Sequence, residues 1–283
     1  MISKIVNETI NEEIIFDNVK FVLSKFDANA GAVTNVSFKG INQIGVTQTA
    51  SLIETRDISL EIYIQAKDAQ EMKENKRKLA RVTNPLNEIT VIYKGNKIRG
   101  TLKSTPKYST DSNNNTNYIA FCVLDVFCPN PCFTSETEFV LKLIEWSPNF
   151  HFPARIVKKE PLGKRTRKIA EVDNIGDIEN GMIIEFEAKG PLKNPTIMNV
   201  KTREYIKIPK EMVAGEKITI NTRYGAKSIK SNISGNIINL FKKDTNNKWL
   251  QLQVGNNIFK CTSDTNEDYL TGKIYFEPQF LTI

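Results

Sequence analysis

The 283-residue chain carries 39 Lys and Arg residues, 32 Asp and Glu residues and a single His, which gives a formal net charge of +7. With 40% hydrophobic and 25% charged residues, the composition is that of a globular protein, and the length predicts about two domains. No apolar run is long enough for a membrane-spanning helix, and residues 1–13 lack the apolar core of a secretory signal. Four cysteines are too few for a disulfide framework, so we expect synthesis in a reducing cytoplasm.

The positive charge is confined to one part of the chain. Residues 1–150 contain 17 basic and 17 acidic residues, whereas residues 155–168 alone contain seven basic residues and one acidic residue. With its three prolines, 148–168 is predicted to be a basic connector between domains at 1–147 and 169–283. A solvated connector and a contact with an acidic neighbour both explain this charge, and the lack of interleaved aromatics disfavours nucleic acid. The partner-docking candidates are Lys164, Arg165, Arg167 and Lys168.

Period-2 alternation is the dominant local pattern of the N-terminal domain. Ile58, Leu60 and Ile62 alternate with polar residues, which predicts a strand at 57–65 with one buried face. Residues 89–102 predict a hairpin around a Lys-Gly-Asn turn, because Gly and Asn tolerate positive φ. The apolar run at 118–127 predicts a further strand that is buried on both faces.

One helix is predicted in this domain, at 68–82. Asp68 has the position of an N-cap, and Glu71 follows it at the spacing of a capping box. Met72 and Leu79 belong to a narrow apolar stripe, and Pro85 prevents the helix from continuing.

The region after Glu171 contains short strand-like segments separated by turn residues. Their spacing of about 8–12 residues is typical of a β-sandwich. The predicted strands are 181–188, 196–199, 204–208, 217–221, 226–230, 249–254, 257–262 and 272–278.

The sequence offers little chemistry for catalysis or for a cofactor. Cys128-Pro-Asn-Pro-Cys132, together with Cys122 and His151, contains ligand types that zinc accepts, but the spacing is not that of a zinc knuckle. Small buried thiols at the end of a strand explain the cysteines better. The chain also lacks a nucleophile elbow, a zinc-protease motif and a phosphate-binding loop, so we predict no enzyme activity and no cofactor.

Trp249 is the candidate for stacking on a sugar ring. In 249–254 the tryptophan shares a predicted strand face with Gln251 and Gln253, which suggests partial exposure. A tryptophan packed beneath a loop is an equally common arrangement, so both interpretations stay open.

Several stretches, taken in order, resemble the siphophage-type distal tail protein family. Residues 121–133 (FCVLDVFCPNPCF) resemble that family's apolar strand and its Cys-Pro-Asp-Pro-aromatic exit, with Asn130 in place of Asp and Cys132 before the aromatic Phe133. Thr55-Arg-Asp-Ile58, followed by strand, helix and hairpin, resembles its N-terminal domain. The segments 194–200, 215–222, 249–257 and 274–280 resemble its C-terminal domain in the same order.

The resemblance implies a mainly β fold and a structural role. It implies an N-terminal β-sandwich that carries a helix and a β-hairpin and closes into a hexameric ring, and a C-terminal galectin-like β-sandwich. The ring would join the tail tube protein to the tail-tip hub, a tail-associated lysin-like protein, and leave a channel for DNA. A receptor-binding protein is a further implied partner, and the location would be the virion tail tip.

Applied to this chain, the family layout points to the predicted helix and the 89–102 hairpin as ring contacts. A carbohydrate-binding module for cell-wall glycans is the main alternative, and a nucleic-acid binder is the least favoured interpretation. The oligomer-contact candidates are Asp68, Met72, Leu79, Tyr93, Gly95 and Ile98.

Overall fold

The computed structural model describes residues 3–29, 31–111, 113–143, 146–148, 163–165 and 169–283, with backbone alone for 146–148 and 163–165. The chain divides into two compact units. The first unit comprises Met1–Glu136 and the last four residues, Phe280–Ile283, and the second comprises Thr137–Gln279. The second unit therefore begins before the predicted connector at 148–168, most of which lies outside the described residues.

The first unit is built from strands and one helix. Its main sheet has the strand order β2-β1-β7-β8-β10-β6-β3, and β4 and β5 form a separate two-stranded sheet. The elements are β1 (Lys4–Asn7), β2 (Glu12–Ile15), β3 (Phe21–Ala28), β4 (Val33–Phe38), β5 (Thr47–Ile53), β6 (Arg56–Gln65), α1 (Ala69–Val82), β7 (Ile89–Tyr93), β8 (Asn96–Leu102), β9 (Lys107–Tyr108), β10 (Ile119–Cys128) and β11 (Phe133–Ser135).

The core of this unit lies between two halves of the main sheet. Strands β1, β2, β7 and β8 form one half and β3, β6 and β10 the other, and β8 pairs with β10 at only two positions. Gly100 of β8 permits close approach there, because a Cβ atom would lie 2.4 Å from the carbonyl oxygen of Phe127. The inward side chains of both halves belong to one buried apolar cluster, so the unit is a β-sandwich, as predicted.

Strand β6 confirms the prediction at 57–65, but β10 differs from the expected doubly buried strand. Along β10, buried residues such as Ala120 and Leu124 alternate with partly exposed ones. Phe121 lies on the outer face, where its ring is 5.0 Å from that of Tyr63 on β6. The apolar run at 118–127 therefore reflects aromatic packing on the outside of the sheet as well as core burial.

Helix α1 confirms the predicted helix and its cap. The Asp68 side chain accepts a hydrogen bond from the backbone N–H of Glu71, and the Glu71 carboxylate accepts one from the N–H of Lys67. Together these two bonds satisfy donors that the first helical turn leaves unpaired. The helix buries Met72, Asn75, Leu79 and Val82.

The predicted hairpin at 89–102 is also present, as β7 and β8. Tyr93 pairs with Asn96, so Lys94 and Gly95 form a two-residue turn, and both have positive φ, 50° and 83°. Positive φ at both central positions is the geometry that matches the twist of the two strands.

The last four residues of the chain are an integral part of the first unit. Phe280 packs against the buried apolar cluster. The Nη2 of Arg56 donates a hydrogen bond of 2.6 Å to the carbonyl oxygen of Leu281, and its guanidinium carbon lies 4.9 Å from the ring centroid of Phe133. Arg56 is only 6% exposed and its Nε is buried without a hydrogen-bond partner, so these contacts offset part of the cost of burying its charge.

The second unit is a two-sheet sandwich, as predicted. Its sheets have the orders β12-β25-β16-β21-β22-β23 and β15-β24-β18-β19. The elements are β12 (Phe139–Lys142), β13 (Trp146–Pro148), β14 (Gly163–Arg165), β15 (Ile169–Asn174), β16 (Ile183–Ala188), β17 (Leu192–Lys193), β18 (Thr196–Asn199), β19 (Tyr205–Lys207), β20 (Glu211–Met212), β21 (Lys217–Asn221), β22 (Ser228–Ser231), β23 (Gly235–Asn236), β24 (Gly255–Thr262), β25 (Leu270–Phe276), and two 3-10 turns, Ile238–Leu240 and Glu267–Tyr269. The last strand, β26 (Gln279–Phe280), leads into the final residues, which belong to the first unit.

Its core is formed by the inward residues of the two sheets. Ile184 in the centre of β16 pairs with Ile220 on one side and Ile274 on the other. Phe259 lies in the opposing sheet and is fully buried in the same cluster. One predicted strand is absent, because 249–254 pairs only at Leu252, with Asn180. The apolar residues of 249–254 alternate because they face the core, although the backbone does not form a paired strand there.

A buried carboxylate organises one turn of this unit. Glu216 is 1% exposed and lies 2.9 Å from the Lys210 ammonium. Burial would raise the pKa of Glu216, but hydrogen bonds from Ser231, Lys210 and the N–H of Val213 outweigh it and hold that pKa below its usual value. The charged form is therefore the one that the folded unit stabilises.

We expect Glu216→Gln to destabilise the second unit by about 2 kcal/mol at pH 7, because it leaves Lys210 without its buried partner. Since the pKa of Glu216 is lowered on folding, its contribution is complete above the unfolded carboxyl pKa and is lost as the pH falls through the folded value. The Glu216→Gln variant should therefore lose less unfolding free energy than the wild type as the pH is lowered. Both tryptophans, Trp146 and Trp249, belong to the second unit, so fluorescence-detected urea unfolding measures it.

The matched control is Glu211→Gln. Glu211 also pairs with a lysine, Lys193, but its side chain is 72% exposed, so the change should cost less than about 0.5 kcal/mol. Equal destabilisation by the two variants would contradict a special contribution from Glu216.

Candidate functional site

The most exposed element of the first unit is the hairpin formed by β4 and β5, here called the arm (residues 33–53). Every residue of both strands is exposed. At its tip, Ile41 is 97% exposed and Ile44 is fully exposed. A pair of strands without a core of its own is only marginally stable in water, so the arm is a candidate interface rather than a stabilising part of the fold.

The register of the arm gives it two different faces. Asn35, Gln48 and Ser51 lie on one face and form a hydrogen-bonded network, with the Gln48 amide 3.1 Å from the Asn35 side-chain oxygen. A shift of register near Val36 keeps this set together. The opposite face carries apolar side chains that are roughly half exposed: Val36, Phe38 and Leu52. Val33 and Ile53, at the base of the arm, lie on the same side as the polar network.

The arm continues a ladder of the main sheet. Strands β3 and β6 pair up to Ala28 and Ile58, and the N–H of Glu54 donates to the carbonyl of Ala32 between that ladder and the arm. Beyond this bond, Val33 pairs with Ile53. The two strands of the arm thus extend from two neighbouring strands of the core, which fixes the base of the arm.

The sequence reasoning did not identify the arm. The apolar residues of 33–53 do not alternate strictly, because the register shift and the segment between Gly40 and Gly45 interrupt the period. The isoleucines at 41 and 44, on both sides of Gln43 in a polar segment, were the sequence feature that could have indicated an exposed apolar tip.

The predicted oligomer contacts fall into two groups. Met72, Leu79 and Ile98 are 4%, 0% and 3% exposed and belong to the buried cluster of the first unit. Leu79 and Ile98 offer a neighbouring subunit almost no surface, and Met72 reaches the surface at the floor of a groove beside α1. They stabilise the unit instead. Exposed contacts must come from other residues.

The other three candidates are accessible. Asp68 is exposed but serves as the N-cap of α1. Tyr93 is half-buried, with its ring stacked 4.2 Å from that of Phe26, and Gly95 is a partly exposed turn residue. For these residues a ring contact stays a prediction.

Most of the basic segment lies outside the described residues. Arg167 and Lys168 lie outside the described residues, and Lys164 and Arg165 are described only by their backbone, in β14. Their role in docking therefore also stays a prediction.

The cysteines considered for zinc lie inside the units. Cys122 and Cys128 are completely buried, and burial raises the pKa of both thiols to about 12. Cys132 is also buried, and His151 lies outside the described residues. Within the part of the chain that the structure describes, no three His, Cys, Asp or Glu side chains are grouped to hold a metal ion.

Trp249 contributes to packing within the second unit. Its ring lies 4.8 Å from that of Phe241, in a tilted arrangement, and the Lys227 ammonium lies 5.9 Å from its centroid. The indole packs against the buried cluster of the unit. Sugar stacking on Trp249 stays a prediction. Among the described residues, no helix is long and apolar enough to cross a membrane.

Two family models match the chain, one in each unit. A model described as "Phage tail protein RIFT-related domain" matches residues 12–123. A model described as "Siphovirus-type tail component, C-terminal domain" matches residues 175–280. Together they cover more than half of the chain. A search of curated proteins finds no match.

Solved structures share the fold at low sequence identity. The crystal structure of the SPP1 Dit protein (gp 19.1) aligns with 99% of this chain and 100% of its own, with a TM-score of 0.70 and 9% identity. A chain of the phage P2 baseplate in its activated conformation with Ca aligns over 97% and 98%, with a TM-score of 0.51 and 9% identity. The chain therefore has the Dit fold, including both sandwiches.

We expect the thiols of the native protein to be unreactive. With pKa values of about 12, only roughly 0.01% of Cys122 and Cys128 is thiolate at pH 8, and Cys132 and Cys261 are buried as well. A colorimetric disulfide reagent at pH 8 should label none of the four thiols rapidly until guanidinium unfolds the chain. Rapid labelling of Cys122 or Cys128 in the folded protein would contradict this placement.

Proposed function

Because the chain belongs to the siphophage-type distal tail protein family, we propose that it assembles into a closed, hexameric ring at the tip of a phage tail. A structural role in a phage tail or baseplate follows from the family itself. The finer proposal is that the ring joins the tail tube to the tail-tip hub and surrounds a channel through which DNA passes. We assign no catalytic step to the chain.

The apolar face of the arm carries this proposal. Val36, Phe38 and Leu52, with the isoleucines of the tip, expose apolar surface that the subunit's own core does not cover. Burial of such surface contributes about 25 cal/mol per Å². An extended hairpin with one apolar face is suited to lie against the sheet of a neighbour.

Rotational closure explains why such an arm favours a ring. We place the surface that receives the arm on a different part of the subunit, which makes the contact head-to-tail. Head-to-tail contacts either close into a ring or continue as an open filament. Closure covers every arm and leaves no exposed apolar edge, which also limits aggregation.

The charge of the chain fits a channel that lets DNA pass. Residues 1–150 contain equal numbers of basic and acidic residues, so a ring built from this region would carry no net positive charge to retain phosphates. Tight nucleic-acid binding is therefore not part of the proposal.

The arm can be tested by placing charges on one face at a time. We expect Phe38→Asp with Leu52→Asp to abolish ring formation, because it puts two carboxylates into an apolar contact. The matched control, Ser37→Asp with Ser51→Asp, adds the same charge to the polar face and should assemble like the wild type. Native mass spectrometry and electron microscopy give the oligomeric state, and the thermal unfolding temperature checks that both variants are folded.

A ring that forms equally well from the apolar-face variant would assign assembly to another surface. A wild-type protein that stays monomeric at every concentration, also beside its tail neighbours, would contradict the ring itself.

We also propose that the basic segment docks an acidic tail neighbour. Replacing Lys164, Arg165, Arg167 and Lys168 by Gln should weaken co-purification with the adjacent tail proteins, more strongly at low salt, while both units stay folded. Replacing Lys230, Lys242, Lys243 and Lys260 removes the same charge elsewhere and serves as the control. Unchanged co-purification of the first variant would assign the segment to solvation alone.

A further inference from the structure

A groove on the first unit lies between α1 and the segment formed by Tyr108 and residues 115–117, away from the arm. It has a volume of about 480 Å³, and its apolar lining includes Met72 and two alanines of the helix. A groove of this size accommodates a few residues of a peptide or a drug-sized molecule.

The groove is lined by three cations and by no carboxylate. Lys73, Lys76 and Arg77 are successive basic residues along one side of α1, and all three line it. Both acidic residues of the helix are engaged elsewhere: Glu71 lies 2.8 Å from the Lys20 ammonium, and Glu74 accepts a hydrogen bond from Gln70.

Two of these cations are uncompensated. Lys73 and Arg77 are exposed and form no ion pair within the described part of the chain. Lys76 is held in place, because its ammonium donates 2.8 Å to the Asn115 side-chain oxygen and lies 4.9 Å from the ring centroid of Tyr108. A fixed central cation with a free one on either side is a preorganised site for carboxylates.

The Tyr108 hydroxyl does not belong to the site. It is buried from solvent, and its burial raises the pKa of the phenol. Tyr108 contributes to the groove through its ring, which lies beside the Lys76 ammonium.

We propose that this groove binds an acidic peptide segment of another tail protein, with an aliphatic side chain on the apolar floor and carboxylates on Lys73, Lys76 and Arg77. Charge complementarity selects this occupant. Nucleic acid is disfavoured, because the only aromatic ring of the lining is covered by Lys76 and cannot stack on a base. The arm of a second copy is disfavoured too, because residues 33–53 contain no acidic residue.

The proposal depends on the tail role only for the identity of the partner, and binding does not require a ring. The probe is a fluorescein-labelled eight-residue peptide of alternating glutamate and leucine, titrated against the full-length protein with fluorescence anisotropy. Two comparison peptides replace leucine by serine or glutamate by lysine. The glutamate–leucine peptide should bind more tightly than either, and its affinity should fall as salt is raised.

Lys73→Gln with Arg77→Gln should weaken binding of the probe about ten-fold, as expected for two exposed charge contacts. The matched control, Lys78→Gln with Lys230→Gln, removes the same charge outside the groove and should change binding less than about two-fold.

Several results would overturn the proposal. They are no binding of the glutamate–leucine peptide up to about 1 mM, an equal loss in the Lys78/Lys230 control, or competition by oligothymidine at least as strong as by the unlabelled peptide. The arm variant Phe38→Asp with Leu52→Asp should bind the probe normally. This variant therefore distinguishes a failure of the proposed peptide binding in the groove from a failure of the proposed ring assembly.

Discussion

The unbroken ladder between β6 and β10 is the constraint on which the first unit depends. All ten residues of β6 pair with residues of β10, from Arg56 opposite Cys128 to Gln65 opposite Ile119. Because side chains alternate between faces, a slip of one residue would turn the isoleucines of β6 to the solvent and Ser59 and Glu61 to the core. Each buried aliphatic side chain contributes about 1.5–3 kcal/mol, so burial alone enforces this register. On the outer face, a hydrogen bond from Ser59 to Asp125 agrees with it.

The same ladder determines where the arm points. Strand β3 takes its register from β6, and the arm continues these two strands beyond the sheet. A hairpin attached through both of its strands retains its direction better than a loop of equal length, because the core fixes two points of the backbone. The apolar face of the arm is thereby presented in one orientation, which reduces the entropy lost when it packs against a neighbour.

Local features of the chain could be predicted from the sequence, and non-local ones could not. The cap at Asp68 and the alternation at 57–65 depend on residues a few positions apart, and both are found in the structure. The assignment of Phe280–Ile283 to the first unit depends on Arg56, far away in sequence, and no local pattern indicates it. The segment at 249–254 shows the converse error: Leu250 and Leu252 alternate because they fill a core, while the backbone forms a single bridge. The family resemblance gave the right fold; half of the residues in the hairpin that it suggested as an interface are buried, and a ring contact through the other half stays a prediction.

The first unit separates two kinds of exposed surface that do not stabilise its own fold. The arm exposes apolar area, whose contacts are insensitive to salt and require close shape matching. The groove beside α1 exposes cations, whose attraction extends over about 10 Å at 0.1 M salt and weakens as salt is added. Electrostatic attraction accelerates encounter more than it tightens a complex, whereas apolar burial mainly slows dissociation. In the proposed assembly, the groove would attract an acidic partner quickly and the arm would hold neighbouring subunits durably, without competition between the two contacts.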